Sequence, residues 1–327
     1  MNRLQRAPLP LQEVIRPTTI IDSPRLSKLL GVKVTLASET FQHTGSFKFR
    51  AAYNLAARVS QDHLIAASSG NFGQALAYAC ALLGKSCTVV MPENSSQVKV
   101  DAVREYGGTV DLINTRLQSR GERVRELAAS CPNSYTTNAY DDPLIIEGNA
   151  SLGEELTALN RHFEFIIVPI GGGGLSSGII AGIRRSVRDI RVIGAEPAIA
   201  NRTVRSLQAG SIVTLETEPQ TIADGARTLS LGKHNWEILK DRLSGIVEVS
   251  EGKIKEGVNV LYSYANLKAE PTGALSLGAL LMEPVRFRGK SVCCVVSGGN
   301  VDAEVYRSIL ESNAVRGNGS GDLTNEL

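Results

Sequence analysis

The sequence predicts an α/β protein of two doubly wound domains, each with a mostly parallel sheet, and a ligand-binding cleft between them. Three observations carry this expectation. Short apolar runs alternate with longer helical segments along most of the chain, the pattern of strand–helix–strand units. The runs are apolar at successive positions, as in Phe165-Ile166-Ile167-Val168-Pro169-Ile170, which suits strands covered on both faces. Glycine- and serine-rich turns follow directly on several of these runs, at the sheet edge where open α/β folds bind ligands. The chain has 327 residues, enough for roughly two domains.

Taken in order, residues 1–16 read as an arm, because Pro8, Pro10 and Pro17 oppose regular helix. Ser23 caps a short helix with Pro24 at its first position and Gly31 at its end. Val32 to Leu36 alternates as a strand does. A helix runs from Lys48 to about Val59, carried by Ala and Leu. Leu64 to Ala67 leads into a helix from Phe72 to Leu83. Cys87 to Met91 leads, through Pro92, into one ending at Tyr106 before Gly107 and Gly108. Val110 to Ile113 leads into one from about Gln118 to Ala129, and a helix from about Pro143 to Leu159 follows. The second set comprises Phe165 to Ile170, Leu175 to Val187, Arg191 to Ala195, Ile246 to Val249 and Val292 to Val296. The tail from about residue 313 is Gly-rich and polar and reads as disordered.

Bulk properties exclude several function classes. Hydrophobic content of 43% with 21% charged residues fits a globular chain. A net charge of +2 gives no general pull towards nucleic acid or an anionic membrane. No apolar run is long enough to span a bilayer, and the first residues lack the apolar core of a secretory signal. The five cysteines show no metal-type spacing. Cys293 and Cys294 lie within an apolar strand and read as small buried residues, so a reducing cytoplasm is the expected location.

Four stretches carry chemistry. Thr44-Gly45-Ser46-Phe47-Lys48 puts a lysine at the mouth of a helix, where it is either an ordinary first-turn residue or a reactive amine. Gly171 to Gly174 follow a buried strand and open a helix. Each glycine costs backbone entropy, and what the run offers is close approach of N–H groups to an anion such as a phosphate. A permissive turn is the alternative. No Lys-Ser or Lys-Thr follows, so this is not a nucleotide P-loop. Ser68-Ser69-Gly70-Asn71 and Ser297-Gly298-Gly299-Asn300 also end strands, as helix caps, as ligand contacts, or as both.

These motifs, in this order over residues 15–312, resemble the pyridoxal-phosphate enzymes of the threonine/serine dehydratase and serine racemase family. The resemblance implies the fold-type II architecture, with pyridoxal 5'-phosphate in the cleft. Residues 1–47 and 141–327 would form the large cofactor-binding domain and 48–140 a small mobile one. It implies that Lys48 anchors the cofactor covalently and that Phe47 neighbours it. Asn71 matches the residue bonded to the pyridine 3-oxygen, Gly171, Gly172, Gly173 and Gly174 the phosphate cradle, and Ser297 the residue facing the pyridine nitrogen. Gly225 and Glu270 match landmarks near the ring. Ser46, Ser68, Ser69, Phe72 and Arg120 fall on the substrate side. A homodimer acting on a small amino acid is the implied assembly.

The implied reaction is β-elimination from a small β-hydroxy amino acid (serine, threonine or 3-hydroxyaspartate), giving a keto acid and ammonia. Lys48 would remove the Cα proton, and a neutral Ser297 at the pyridine nitrogen favours loss of a β-leaving group. An amino-acid racemase, with Ser69 as the acid on the opposite face, is the alternative, and a β-replacement synthase a further one. Departures from the family pattern bear on substrate and metal. Phe72 stands where histidine is common, and Glu147 to Ser151 leans towards threonine-synthase-like sequences. In metal-activated members a glutamate, a backbone carbonyl and an aspartate hold a divalent cation; the matching positions here are Glu196, Ala200 and Arg202. Arginine has only donors and a permanent positive charge. No metal is therefore expected, and Arg202 is expected to pair with Glu196 in its place.

Overall fold

The computed structural model describes residues 8–68 and 70–317, with side chains described as far as residue 312. Its strands are β1 (Thr19–Asp22), β2 (Lys33–Ser38), β3 (His63–Ala67), β4 (Ser86–Pro92), β5 (Thr109–Ile113), β6 (Ser134–Thr137), β7 (Phe165–Pro169), β8 (Arg191–Pro197), β9 (Ile246–Val249) and β10 (Ser291–Val296). Its α-helices are α1 (Leu11–Val14), α2 (Pro24–Leu30), α3 (Lys48–Arg58), α4 (Asn71–Leu83), α5 (Gln97–Glu105), α6 (Arg120–Ser130), α7 (Pro143–Ala158), α8 (Gly174–Ile183), α9 (Arg202–Ala209), α10 (Lys233–Arg242), α11 (Glu251–Ala265), α12 (Pro271–Met282), α13 (Pro284–Phe287) and α14 (Ala303–Gly317).

Local chemistry sets the helix ends. Ser23 Oγ accepts from the Leu26 N–H, Pro24 opens α2, and Gly31 closes it with φ of 61°. Ser119 and Glu122 form a reciprocal capping box at the start of α6. Asp142 caps α7, which Pro143 opens.

The strands form two sheets. One has six strands in the order β1-β2-β10-β7-β8-β9, all parallel except the antiparallel edge strand β1. The other has four parallel strands in the order β5-β4-β3-β6. Uniformly apolar strands follow from cover on both faces. Leu36, Ile167, Ile193 and Cys294 face a core shared with α11 and α12, while Ala37, Ile166, Val168 and Cys293 face one shared with α7 and α8. The adjacent cysteines are thus buried on opposite faces, and both are free thiols. Leu64, Val89 and Met91 of the smaller sheet pack with Phe49 and Leu55 of α3 and Leu76 of α4.

Strand order creates two switch points. After β3 the chain passes to β4 and β5 on one side, and β6 then lies on the other. In the larger sheet β7 leads outward to β8 and β9, while β10 returns between β7 and β2. The carboxyl ends of β3, β7 and β10 therefore open at the crevices where doubly wound sheets bind ligands.

Several elements depart from the sequence expectation. The N-terminal arm contains the short helix α1, placed between Pro10 and Pro17. β1 and β6 are short edge strands with little apolar signal. α12 is buried along nearly its whole length and so shows no amphipathic stripe. α14 runs to Gly317, into the start of the Gly-rich tail. Its earlier turns are anchored by the buried Ile309, and extending an existing helix costs far less than nucleating one. The rest of the expected tail, residues 318–327, lies outside the described residues.

Candidate active site

Lys48 is positioned by two loops that join. Thr44 and Gly45 turn the chain through left-handed backbone, with φ of 59° and 72°. A Cβ on Gly45 would lie 2.4 Å from Asn300 Oδ1, so only glycine fits. Ser46 then bridges to Gly298, the Gly299 N–H donates to the Gly45 carbonyl at 3.0 Å, and the Phe47 N–H donates to the Ser297 carbonyl at 3.0 Å. The loop before α3 is thereby fastened to the loop after β10, and Lys48 opens α3 beside the buried Ser297. Its Nζ donates to the Ala139 carbonyl at 2.7 Å and lies 5.1 Å from the Phe47 ring and 5.6 Å from the Phe72 ring. Burial pulls its pKa down to about 8, against the opposing pull of Glu270. A lysine in this setting supplies a substantial neutral fraction near neutrality, as a nucleophile or base requires.

The glycine run has every carbonyl engaged and every N–H free. Arg202 Nη2 donates to the carbonyls of Ile170 (3.1 Å) and Gly171 (2.6 Å). The Gly172 carbonyl accepts from the Gly232 N–H and from Asn235 Nδ2, and that of Gly173 from the Ser177 N–H and Ser176 Oγ. In a trans peptide the N–H points opposite to the C=O. Pinning four successive carbonyls therefore aims the N–H groups of Gly171, Gly172, Gly173 and Gly174 the other way, and none of these has an acceptor among the described residues. The dipole of α8 adds partial positive charge at the same place. Side chains cannot be added: a Cβ on Gly172 would lie 2.1 Å from the Tyr140 ring, and one on Gly171 2.5 Å from the Gly225 carbonyl. Free N–H groups at a helix N-terminus are able to cradle an anion.

A third group of contacts crosses between the sheets. Asn71, first residue of α4 after β3, donates through Nδ2 to Glu270 Oε1 at 2.7 Å. Asn300 Nδ2 donates to Asn71 Oδ1 at 2.8 Å. Glu270 is buried, its Oε2 has no partner among the described residues, and burial raises its pKa to about 8, with Asp224 adding to the shift. Lys99 of α5 makes an ion pair with Asp224, and the neighbouring Gly225 N–H donates to Thr272 Oγ1 at 3.0 Å.

The remaining expected site residues are distributed unevenly. Ser46 is buried, with an Oγ that has no partner among the described residues. Ser68 Oγ accepts from the Gly73 N–H at 3.1 Å, so it satisfies a first-turn donor of α4, whose N-cap is Gly70. Phe72 is buried in the core beneath Lys48. Arg120 opens α6. Ser69 lies outside the described residues. Residues that sequence reasoning missed are Tyr140, which packs on the glycine run, Asn235, which holds it, and Asn300, Lys99 and Asp224. Of these, Asn300 and Asp224 belong to motifs visible in the sequence, Ser297 to Asn300 and Ile222 to Gly225. The expected metal position does not fit a cation: Arg202 fills it, with Nη1 donating to the Ala200 carbonyl at 2.6 Å and standing 3.9 Å from Glu196 Oε2.

A family model described as "Pyridoxal-phosphate dependent enzyme" matches residues 11–298. The chain belongs to this family. It is similar to an L-threo-3-hydroxyaspartate ammonia-lyase of Pseudomonas sp, with 36% identity over 298 residues, covering 90% of this chain and 93% of the relative. Among solved structures it resembles a threonine deaminase of T.th. (TM-score 0.85, 36% identity, 89% of this chain and 95% of that one). It also resembles maize serine racemase (TM-score 0.86, 28% identity, 94% and 95%). The fold is that of the fold-type II enzymes, and the cofactor is pyridoxal 5'-phosphate. The residues present fit it: an acceptor-free N–H cradle for the phosphate, a depressed lysine amine for the aldehyde, and the buried, uncharged Ser297 at the end of β10.

Proposed function

We propose that the chain is a pyridoxal-phosphate-dependent ammonia-lyase acting by β-elimination on a small β-hydroxy amino acid, with 3-hydroxyaspartate the leading substrate. One observation carries the reading: the amine of Lys48, depressed to about 8, at the point where the loops of β10 and α3 join. The bound cofactor supplies the electron sink that makes the Cα proton acidic. Lys48 would hold the cofactor through its amine and, when free, would take the Cα proton. Gly171 to Gly174 would hold the phosphate, Asn71 would serve the 3-oxygen side, and Ser297 would face the pyridine nitrogen without charging it. Phe47, Gly225 and Glu270 bound the ring. Ser46, Ser68 and Phe72 shape the substrate side. Loss of the β-hydroxyl as water leaves an enamine, whose hydrolysis consumes one water and yields a keto acid and ammonia.

Substrate choice rests on charge. A β-carboxylate needs a cation, and Arg120, at the start of α6, is the side chain assigned to supply it. The name of the Pseudomonas relative points the same way. Residues 48–140 act as a small mobile domain against 1–47 and 141–327, in a cytoplasmic homodimer. Among the described residues no helix is long and apolar enough to cross a membrane.

The test is proton NMR in heavy water of the loaded protein with the L and D forms of serine, threonine and 3-hydroxyaspartate. Oxaloacetate and ammonia from a 3-hydroxyaspartate isomer, weakened selectively in Arg120→Ala, is the expected result. Loss of the Cα proton signal with appearance of the opposite enantiomer, and no keto acid, would replace the lyase by a racemase with Ser69 as the second acid.

A further inference from the structure

Arg202 is among the largest fully buried side chains of the protein, with 0% exposure. Burying a guanidinium is costly unless its donors are satisfied and its charge is countered. Here Nη1 and Nη2 span three backbone carbonyls, Ala200 at 2.6 Å, Gly171 at 2.6 Å and Ile170 at 3.1 Å, while Nε has no partner among the described residues. Its counter-charge, Glu196, is also fully buried, 3.9 Å from Nη1. Glu196 is held in turn by the N–H groups of Thr203 (3.0 Å) and Val204 (2.9 Å) in the first turn of α9. Carbonyl and carboxylate oxygens gathered in this way are the usual shell of a hard divalent cation. The side chain of α9's first residue occupies that shell instead.

The position of this cage matters more than its composition. Two of the four carbonyls that aim the cradle are those of Ile170 and Gly171, and Arg202 grips both. The other two are held by neutral partners, among them Asn235, Gly232 and Ser177. Arg202 is thus the one charged group among the described residues that fixes the direction of these N–H groups.

We propose that Arg202 is the positioning cation of the phosphate cradle: its guanidinium, and not a bound metal ion, ties the end of β8 to the glycine run and aims the Gly171 and Gly172 N–H groups at the cofactor phosphate. This rests on the cradle assignment made above. Two consequences follow. Cofactor affinity is independent of divalent cations, and the contribution of Arg202 is specific to the phosphate.

The experiment titrates apoprotein with pyridoxal phosphate and, separately, with pyridoxal, which lacks the phosphate, for the wild type, Arg202→Met and Arg202→Lys. Binding is read by absorbance, and folding of each apoprotein by thermal unfolding. Arg202→Met is expected to weaken pyridoxal phosphate on the order of tenfold, the scale seen when a partner that orients a ligating group is lost, with pyridoxal unchanged. Arg202→Lys, which keeps the charge but loses the fork, falls between, and it serves as the readout if the methionine variant does not fold. Wild-type affinity is expected to be unmoved by a chelator. Equal weakening of both ligands, no weakening of either, or a chelator effect reversed by magnesium or calcium would each overturn the proposal. If instead the wild type itself does not prefer pyridoxal phosphate, and inorganic phosphate does not compete, the cradle assignment fails whatever Arg202 does.

Discussion

Asn71 and Glu270, 199 positions apart, meet at 2.7 Å from Nδ2 to Oε1, and this bond joins the end of β3 in one sheet to the start of α12 over the other. Asn300 Nδ2 completes the link by donating to Asn71 Oδ1 at 2.8 Å, which fixes the orientation of the Asn71 amide. A carboxyl group so placed has one oxygen committed and the other buried without a partner among the described residues. Ionising it is unfavourable, and its pKa rises to about 8 from 4.5.

That shift ties stability to pH with a definite sign. Between the two values the folded state holds a proton that the unfolded state releases. The contribution of Glu270 is therefore complete below about pH 4.5 and is lost as the pH rises through 8. Glu270→Gln stays neutral throughout. Thermal unfolding of the two apoproteins is expected to show the variant gaining on the wild type between pH 6 and pH 9, by roughly 2–4 °C for each kcal/mol. A melting difference that does not change with pH would show that Glu270 is ionised in the fold.

Lys48 carries the second prediction. Its pKa falls to about 8 from 10.5 because burial penalises the charged amine. The rate at which apoprotein attaches pyridoxal phosphate should rise about tenfold per pH unit below pH 8 and level off above it, as the neutral amine saturates. An unperturbed lysine would go on rising to above pH 10. Lys48→Ala is expected to abolish covalent attachment, seen as loss of the borohydride-reduced adduct by mass spectrometry, and to lower turnover by about a thousandfold or more.

How much of this could be read from the sequence depends on where each residue's cost shows. The glycine run is legible because consecutive glycines after an apolar strand are locally expensive, and Lys48, Asn71 and Ser297 are legible as members of strand-end motifs. Tyr140 and Asn235 are not, because each acts on a residue far away in the chain from an ordinary-looking helix or loop. Ser68 belongs to a legible motif, yet its hydroxyl accepts from a first-turn N–H of α4, which shows that composition locates a loop better than it assigns the hydroxyls within it. The fold divides in the same way. Buried parallel strands such as β7 declare themselves as apolar runs. α12 is apolar all round and lacks helical periodicity, and the edge strands β1 and β6 are too short and polar to stand out.

The glycine run can be tested sterically. A methyl at residue 172 would meet the Tyr140 ring at 2.1 Å, well inside contact distance. Gly172→Ala must displace either the ring or the loop, and because the Gly172 carbonyl is tied to Asn235 and Gly232, the loop resists. Cofactor affinity in Gly172→Ala should fall by on the order of tenfold or more, and Tyr140→Ala in the same chain should restore much of it by making room, a coupling that a double-mutant cycle isolates. Additive losses in the cycle would mean that the methyl acts on the cofactor directly and not through the ring.

Two residues beyond Lys48, Arg50 anchors α3 from below. It is fully buried, with Nε donating to Glu39 Oε2 at 2.7 Å and Nη1 to Glu155 Oε1 at 2.7 Å and Ser151 Oγ at 3.0 Å, while Nη2 reaches Thr18 Oγ1 at 2.9 Å. The two glutamates hold its pKa above the ordinary arginine range. Removing the cation leaves Glu39 buried, with 0% side-chain exposure and no counter-charge. Breaking such a pair from one side costs about 3–5 kcal/mol. Arg50→Met is accordingly expected to unfold at markedly lower denaturant than the wild type. Arg50→Met with Glu39→Gln should recover part of the loss, because the neutral amide removes the stranded charge. The position of the network adds a functional readout: in Arg50→Lys, which keeps the charge without the fork, cofactor attachment to Lys48 should slow under conditions where the protein stays folded. Full stability in Arg50→Met would show that Glu39 is protonated or finds another cation, and would remove the ion cluster from any role in holding the start of α3.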